Sequence, residues 1–216
     1  NLSNSILKIK NDCYTSIIIN YGKEASCMKN IKLSALNLVP IREGQEDKDA
    51  INDMVTLAQA LDDLDYERYW IAEHHNAPNL VSSATSLLIQ HTLEHTHSIK
   101  VGSGGIMLPN HAPLVVAEQF GTLETLFPQR VDLGLGRAPG TDMMTASALR
   151  RDQHNGVYQF PEEVEQLQQY FGPGHQQAYV RAYPAVDKNV PLYILGSSTD
   201  SAHLAARKGL PYVFAG

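Results

Sequence analysis

Hydrophobic positions recur from Met28 onward in two alternating periods. Residues 31–39 (IKLSALNLV) alternate apolar and polar side chains, as in a strand, and residues 47–65 space apolar side chains as in a helix. Further strands are predicted at 68–72, 99–102, 131–136 and 190–195, with a sixth starting at 212. Further helices are predicted at 82–95, 113–126, 141–151, 161–171 and 199–208. Ser82 or Ser83 is the expected N-cap of the second helix.

This strand–helix alternation predicts a parallel sheet with helical crossovers. The almost continuously apolar run 190–195 (VPLYIL) suits a sheet that is buried on both faces. An open doubly wound sheet and a closed (β/α)8 barrel both fit this pattern. If the fold is a barrel, about six of its eight units are present and the last two are missing.

Residues 1–27 differ from the rest of the chain, being rich in Asn, Ser and Lys without a sustained period. We expect an extension outside the folded domain, which then covers residues 28–216. It is either a segment upstream of a natural start at Met28 or a disordered tail.

The charge, the apolar runs and the cysteines of the sequence narrow the classes of function that fit this chain. The net charge is −6 and no basic stripe is visible, which argues against a nucleic-acid partner. No apolar run approaches the roughly 18 residues of a membrane helix. The two cysteines, Cys13 and Cys27, both precede the regular part, so no disulfide framework is expected. We therefore expect a cytoplasmic protein.

Candidate chemistry follows the strands, because parallel sheets bind ligands at the carboxyl ends of their strands. Glu73, His74 and His75 come directly after the second predicted strand. A histidine there is able to exchange protons with a substrate near neutral pH or to bind a metal. The alternative is a histidine that only orders its loop by hydrogen bonding.

The third strand is followed by a glycine-rich run, Gly102-Ser103-Gly104-Gly105, which permits close approach of a ligand or only a tight turn. Asn110 and His111 come next, and either face the site or cap the following helix.

Anion-binding residues are predicted after the fourth and fifth strands. Arg137 suits a phosphate, with a salt bridge to a neighbouring loop as the alternative. Gly196, Ser197 and Ser198 lead into a helix whose free N–H groups also suit a phosphate, or serve as an ordinary N-cap. Together these residues suggest a phosphorylated planar cofactor beside an acid–base residue.

Four longer motifs contain these candidate residues: 68–76 (RYWIAEHHN), 101–126 (VGSGGIMLPNHAPLVVAEQFGTLETL), 130–141 (RVDLGLGRAPGT) and 195–198 (LGSS). They resemble the bacterial luciferase-like flavin-dependent monooxygenases, and the resemblance extends from about Met28 to the last residue. The resemblance implies a luciferase-like (β/α)8 TIM barrel. It also implies FMN, reduced by a separate flavin reductase, with a deazaflavin as the less favoured cofactor.

The resemblance also implies roles for individual residues. His74 is the catalytic candidate, and Ser103, Gly104 and Gly105 lie under the flavin ring, near a non-proline cis peptide. Arg137, Gly196, Ser197 and Ser198 bind the phosphate. The implied reaction is oxidation of a small organic substrate by reduced flavin and O2, commonly in a homodimer.

Two alternatives remain at this stage. A metal-dependent barrel hydrolase would use Glu73, His74 and His75, but it would need ligands spaced over several strands. His95 and His97 precede the third strand, at the wrong end, so we predict no metal site. A non-catalytic flavin-binding fragment or dimer partner with the same fold is the second alternative.

Overall fold

The computed structural model of the chain describes residues 31–138, 141–150, 156–174 and 179–215. The expected extension at residues 1–27 lies outside this part. Six strands form one sheet: β1 Ser34–Asn37, β2 Arg68–Ile71, β3 Lys100–Met107, β4 Val131–Gly136, β5 Leu192–Gly196 and β6 Tyr212–Phe214. Six α-helices connect them: α1 Asp47–Asp63, α2 Thr85–Glu94, α3 Pro113–Leu126, α4 Met143–Leu149, α5 Gly156–Phe171 and α6 Thr199–Lys208. A short 3-10 turn, Leu108–Asn110, follows β3.

Strand order distinguishes the two folds that the sequence left open. The strands lie in the order β1-β2-β3-β4-β5-β6, and every neighbouring pair is parallel. A doubly wound sheet reverses its strand order at a switch point, whereas a (β/α)8 barrel adds each strand beside the previous one. The sheet therefore has barrel topology, with six consecutive βα units.

The two faces of the sheet carry different residues. Val131, Leu133 and Leu135 of β4 belong to the main core, together with apolar side chains from the helices. Because side chains alternate along a strand, Asp132 and Gly134 lie on the opposite, inner face. Trp70 of β2 and Tyr193 of β5 contact each other there, with ring centroids 5.1 Å apart.

Three boundaries differ from the sequence prediction. Strand β3 extends to Met107, so the glycine-rich run lies within the strand, not after it. Helix α5 begins at Gly156, five residues before the predicted start at Pro161, and the earlier start places Phe160 in the core with no exposed surface. Helix α2 begins at Thr85 after Ala84, so neither Ser82 nor Ser83 is its N-cap.

None of the helices in the described part of the chain combines the length and the apolar character needed to cross a membrane.

Candidate active site

Glu73 is the centre of a hydrogen-bonded cluster at the carboxyl end of β2. Its carboxylate is almost fully buried, with 1% of the residue exposed. Oε1 lies 2.8 Å from Nε2 of His75 and 2.9 Å from Nε2 of His111, and Oε2 accepts a bond from the backbone N–H of Met107 at 3.0 Å. The cluster therefore joins the loop after β2 to the end of β3 and the turn that follows it.

The ionised carboxylate of Glu73 determines which ring nitrogen of each neighbouring histidine carries a hydrogen atom. Burial raises the pKa of Glu73, but hydrogen bonds from His111 and His75 outweigh it and lower the pKa to about 2. The carboxylate is thus ionised at neutral pH and only accepts hydrogen bonds. Both histidines consequently carry a proton on Nε2. This contact answers the question left open for His111, since Ala112 occupies the N-cap position of α3.

His74 has no hydrogen bond to this cluster among the described residues. Its backbone N–H donates to the carbonyl of Ser82 at 3.3 Å, which ties the loop to the segment before α2. The ring nitrogen Nδ1 is buried and has no hydrogen-bond partner among the described residues. A buried, unpartnered imidazole nitrogen is suited to exchange a proton with a bound ligand.

The glycine-rich run forms an irregularity in β3. The pairing with β4 passes from Ser103–Leu133 to Ile106–Leu135, so Gly104 and Gly105 form a bulge. The peptide bond between these two glycines is cis, as the resemblance implied. The hydroxyl of Ser103 donates to the carbonyl of Gly134 at 2.8 Å and thereby joins the two strands.

The predicted phosphate residues follow two neighbouring strands. Leu135 pairs with Ile194, which places Arg137 close to the Gly196 level of β5. Arg137 is half-buried, and its side chain makes no hydrogen bond or ion pair with any described residue. The alternative of a salt bridge to a neighbouring loop therefore finds no support within the described residues.

The three residues of the turn after β5, Gly196 to Ser198, make different contacts. Ser198 is the N-cap of α6, and its hydroxyl accepts a bond from the N–H of Ser201. The carbonyl of Gly196 accepts bonds from the hydroxyl of Tyr212 and the N–H of Ala215. Ser197 is exposed, and its side chain has no partner in the described part of the chain.

Sequence reasoning missed the segment that covers the histidine loop. The hydroxyl of Thr141 donates to the carbonyl of His75 at 3.2 Å, and Asn76 donates to the carboxylate of Asp142 at 3.1 Å. At the other end of α4, Arg150 donates to the carbonyl of His111 at 3.1 Å and pairs with Glu163. These bonds join residues that are far apart in the sequence, so no local sequence pattern predicts them.

Among the described residues, two groups of side chains have metal-ligand spacing. Glu73, His75 and His111 hold their ligand atoms within 4.8 Å of one another, as do His91, Glu94 and His95 at the C-terminal end of α2. The first group differs from the hydrolase triad considered from the sequence, because His111 takes the place of His74. Hydrogen bonds among its own members already satisfy the atoms of this group.

The sequence model of the luciferase-like monooxygenase family matches residues 32–216. Over 187 residues the chain is 54% identical to Bacillus subtilis protein YddN and 48% identical to an Escherichia coli K12 luciferase-like monooxygenase. It is 39% identical over 189 residues to N-acetyl-S-alkylcysteine monooxygenase of Bacillus subtilis. These alignments cover 86–87% of the chain and 55–57% of each relative, so the chain spans about half the length of the curated relatives it matches.

Solved structures show the same architecture. The apo-MsnO8 crystal structure superposes with a TM-score of 0.79 at 37% identity, covering 86% of this chain and 55% of that chain. The oxygenating constituent of Pseudomonas putida 3,6-diketocamphane monooxygenase in complex with FMN gives a TM-score of 0.67 at 16% identity, covering 85% and 56%. The second likeness concerns the fold alone.

Fold and site together define a class: six consecutive units of a (β/α)8 barrel, with polar residues gathered where the strands end. Within that class, the chain belongs to the luciferase-like monooxygenase family.

Proposed function

We propose that this chain is the FMN-binding part of a monooxygenase that uses reduced FMN and O2 to oxidise a small organic substrate. The observation that carries the proposal is the guanidinium of Arg137, which has no partner among the described residues. Arg137 directly follows β4, at the level of the Gly196–Ser198 turn on one neighbouring strand and beyond the Gly104–Gly105 bulge on the other. A phosphorylated, planar cofactor requires a cation for its phosphate and a side-chain-free surface for its ring.

The described residues fit FMN in both respects. Arg137 supplies a charged donor, and Ser197 and the N-terminus of α6 supply neutral donors for the phosphate. Gly104 and Gly105 carry no side chains of their own, and Leu36 and Trp70 pack close to Gly104. The crystal structure of the diketocamphane monooxygenase, which has the same fold, contains FMN, so FMN is the first cofactor to test and a deazaflavin is the second.

His74 is the proposed proton-handling residue. Bound reduced flavin supplies the electrons that activate molecular oxygen. The chain holds the unpartnered Nδ1 of His74 in a buried position, while Glu73 fixes the neighbouring histidines by hydrogen bonds. Hydrogen bonds from Thr141 and Arg150 attach the ends of the α4 segment to the backbone carbonyls of His75 and His111.

The substrate is proposed only as a class. A relative that shares 39% of the aligned residues is an N-acetyl-S-alkylcysteine monooxygenase, which favours a small sulfur compound as the first substrate to test. A non-catalytic flavin-binding fragment or dimer partner is the second candidate function.

Two partners belong to the proposal. A separate flavin reductase would supply reduced FMN. A second copy of the chain would pack against the outer faces of α2 and α3, where Leu87 and Val115 are 67% and 45% exposed.

The experiment is an anaerobic titration of the 216-residue chain with FMN, reduced FMN and a deazaflavin, followed by readmission of O2 with an S-alkylcysteine derivative. The proposal expects saturable binding of reduced FMN and formation of an oxygenated product. Binding without product would support the non-catalytic alternative. Preference for the deazaflavin, or no flavin binding by a folded chain, would contradict the FMN assignment.

A further inference from the structure

The Gly104–Gly105 bulge lacks the support that the rest of β3 receives from its neighbours. On the β2 side, the pairing of β3 ends at Ile71–Ser103, and on the β4 side it skips both glycines. Hydrogen-bonded strand pairing therefore does not fix these two glycines. They form the surface on which the flavin ring is proposed to lie, which we call the flavin platform. Contacts from side chains and neighbouring backbone must hold it in place.

One such contact comes from Trp70, on the inner face of β2. A Cβ atom added to Gly104 would lie 2.6 Å from Cδ1 of Leu36, 3.1 Å from Cβ of Trp70 and 3.2 Å from Cε3 of Trp70, so Leu36 and the indole ring both lie against this glycine. A Cβ atom added to Gly105 would instead lie 2.7 Å from the carbonyl oxygen of Gly134. The bulge is thus held between the side chains of Leu36 and Trp70 on one side and the β4 backbone on the other.

The Trp70 ring is itself held by two residues of the inner face. Its Nε1–H donates to Oδ2 of Asp132 at 3.2 Å, and its ring packs edge-on against Tyr193. Arg68 binds both of these partners, at 3.0 Å to the same Asp132 oxygen and at 3.2 Å to the Tyr193 hydroxyl. Residues from three different strands therefore fix the orientation of one indole ring.

We infer that Trp70 is a positioning residue for the flavin platform, and that Asp132 and Tyr193 act through it. The inference rests on the proposed function for its flavin part, whereas the support that Trp70 gives to the bulge is independent of any ligand. Tyr69 provides a matched comparison. It is the preceding residue of β2, is fully buried on the helix side, and donates its hydroxyl to the Met54 carbonyl.

The test is hydrogen exchange of the 216-residue chain, followed by mass spectrometry, in Trp70→Phe, Trp70→Leu and Tyr69→Phe. Trp70→Phe removes the bond to Asp132, and Trp70→Leu also removes the ring. Tyr69→Phe removes the two hydrogen bonds of one hydroxyl, which donates to the Met54 carbonyl and accepts from Asn37. We expect amides of residues 104–107 to exchange at least tenfold faster in both Trp70 variants, relative to amides of β5. Tyr69→Phe should leave that ratio within twofold of the wild-type value.

FMN titrations of the same proteins complete the test. We expect the dissociation constant for FMN to rise at least tenfold in the Trp70 variants and to remain within twofold in Tyr69→Phe. An unchanged exchange ratio in both Trp70 variants, or an equal rise in Tyr69→Phe, would overturn the inference. If the wild-type chain fails to bind FMN, the proposed function fails, and the exchange ratio still decides whether Trp70 supports the bulge.

Discussion

The carboxylate of Glu73 and the imidazole of His111 lie 2.9 Å apart, although they follow different strands and are separated by 38 positions along the chain. His75 bonds to the same carboxylate oxygen, and Met107 donates its backbone N–H to the other. One buried charge therefore fixes the geometry of two loops at the candidate site. Its removal should have both a structural and a functional effect.

Glu73→Gln should lower the free energy of unfolding by about 1–3 kcal/mol, because the amide keeps one acceptor oxygen and leaves a buried donor unpaired. Urea unfolding followed by circular dichroism measures this change. Glu94→Gln, at an exposed position on α2, is the control and should change stability by less than about 0.5 kcal/mol. Equal stability of the two variants would show that Glu73 does not anchor the loops.

Arg137→Ala should weaken FMN binding by roughly 1.5–3 kcal/mol, because it removes a charge-assisted hydrogen bond to the phosphate. A fluorescence titration of FMN gives the dissociation constants. The control is Arg181→Ala, since Arg181 is exposed and bonds only to Tyr183 among the described residues. Unchanged affinity in Arg137→Ala would remove Arg137 from the phosphate site.

His74→Ala should reduce turnover by about 10²–10⁴-fold while FMN affinity remains nearly unchanged, as expected for a residue that transfers a proton and does not hold the cofactor. Steady-state product formation and the flavin titration together separate these two effects. His97→Ala, which alters an exposed histidine at the opposite end of the barrel, should leave turnover unchanged. Full activity in His74→Ala would exclude His74 from the mechanism.

The lowered pKa of Asp62, at the far end of the barrel, leads us to expect that the stability of the fold depends on pH. Burial raises its pKa, but the Ser98 hydroxyl and the backbone N–H groups of residues 97–99 outweigh burial and lower the pKa from 3.8 to about 2. A carboxyl with a lowered pKa stabilises the fold at pH values above its unfolded pKa. That contribution is lost as the pH falls from about 4 through about 2.

Asp62→Asn should therefore be less stable than wild type at pH 6, and the difference should shrink between pH 4 and pH 2. Thermal unfolding at a series of pH values measures it. Asp63→Asn, at the exposed neighbouring position, is the control and should show the wild-type profile. A stability difference that is constant from pH 6 to pH 2 would argue that the Asp62 charge is not responsible.

Much of the fold is local in origin and could be predicted from the sequence. The apolar period specifies helix α3 at its observed bounds, Pro113–Leu126, and strand β4 at Val131–Gly136. The same reasoning failed at β3, since glycines normally end a strand. There, the pairing of Ile106 and Met107 with β4 continues the strand beyond the bulge, and this pairing is a long-range contact.

For the candidate site too, the sequence predicts some features, and long-range contacts decide the others. The chain by itself determined which residues follow the strands, and so named His74, Arg137 and the Gly196–Ser198 turn, because the ends of parallel strands meet at one edge. Only the tertiary structure decided that His111 and not His74 binds Glu73, and that Trp70 lies against Gly104. The physical reason is that hydrogen bonds and packing act across a few ångströms in space, and the chain brings such atoms together from separate strands without leaving a local pattern.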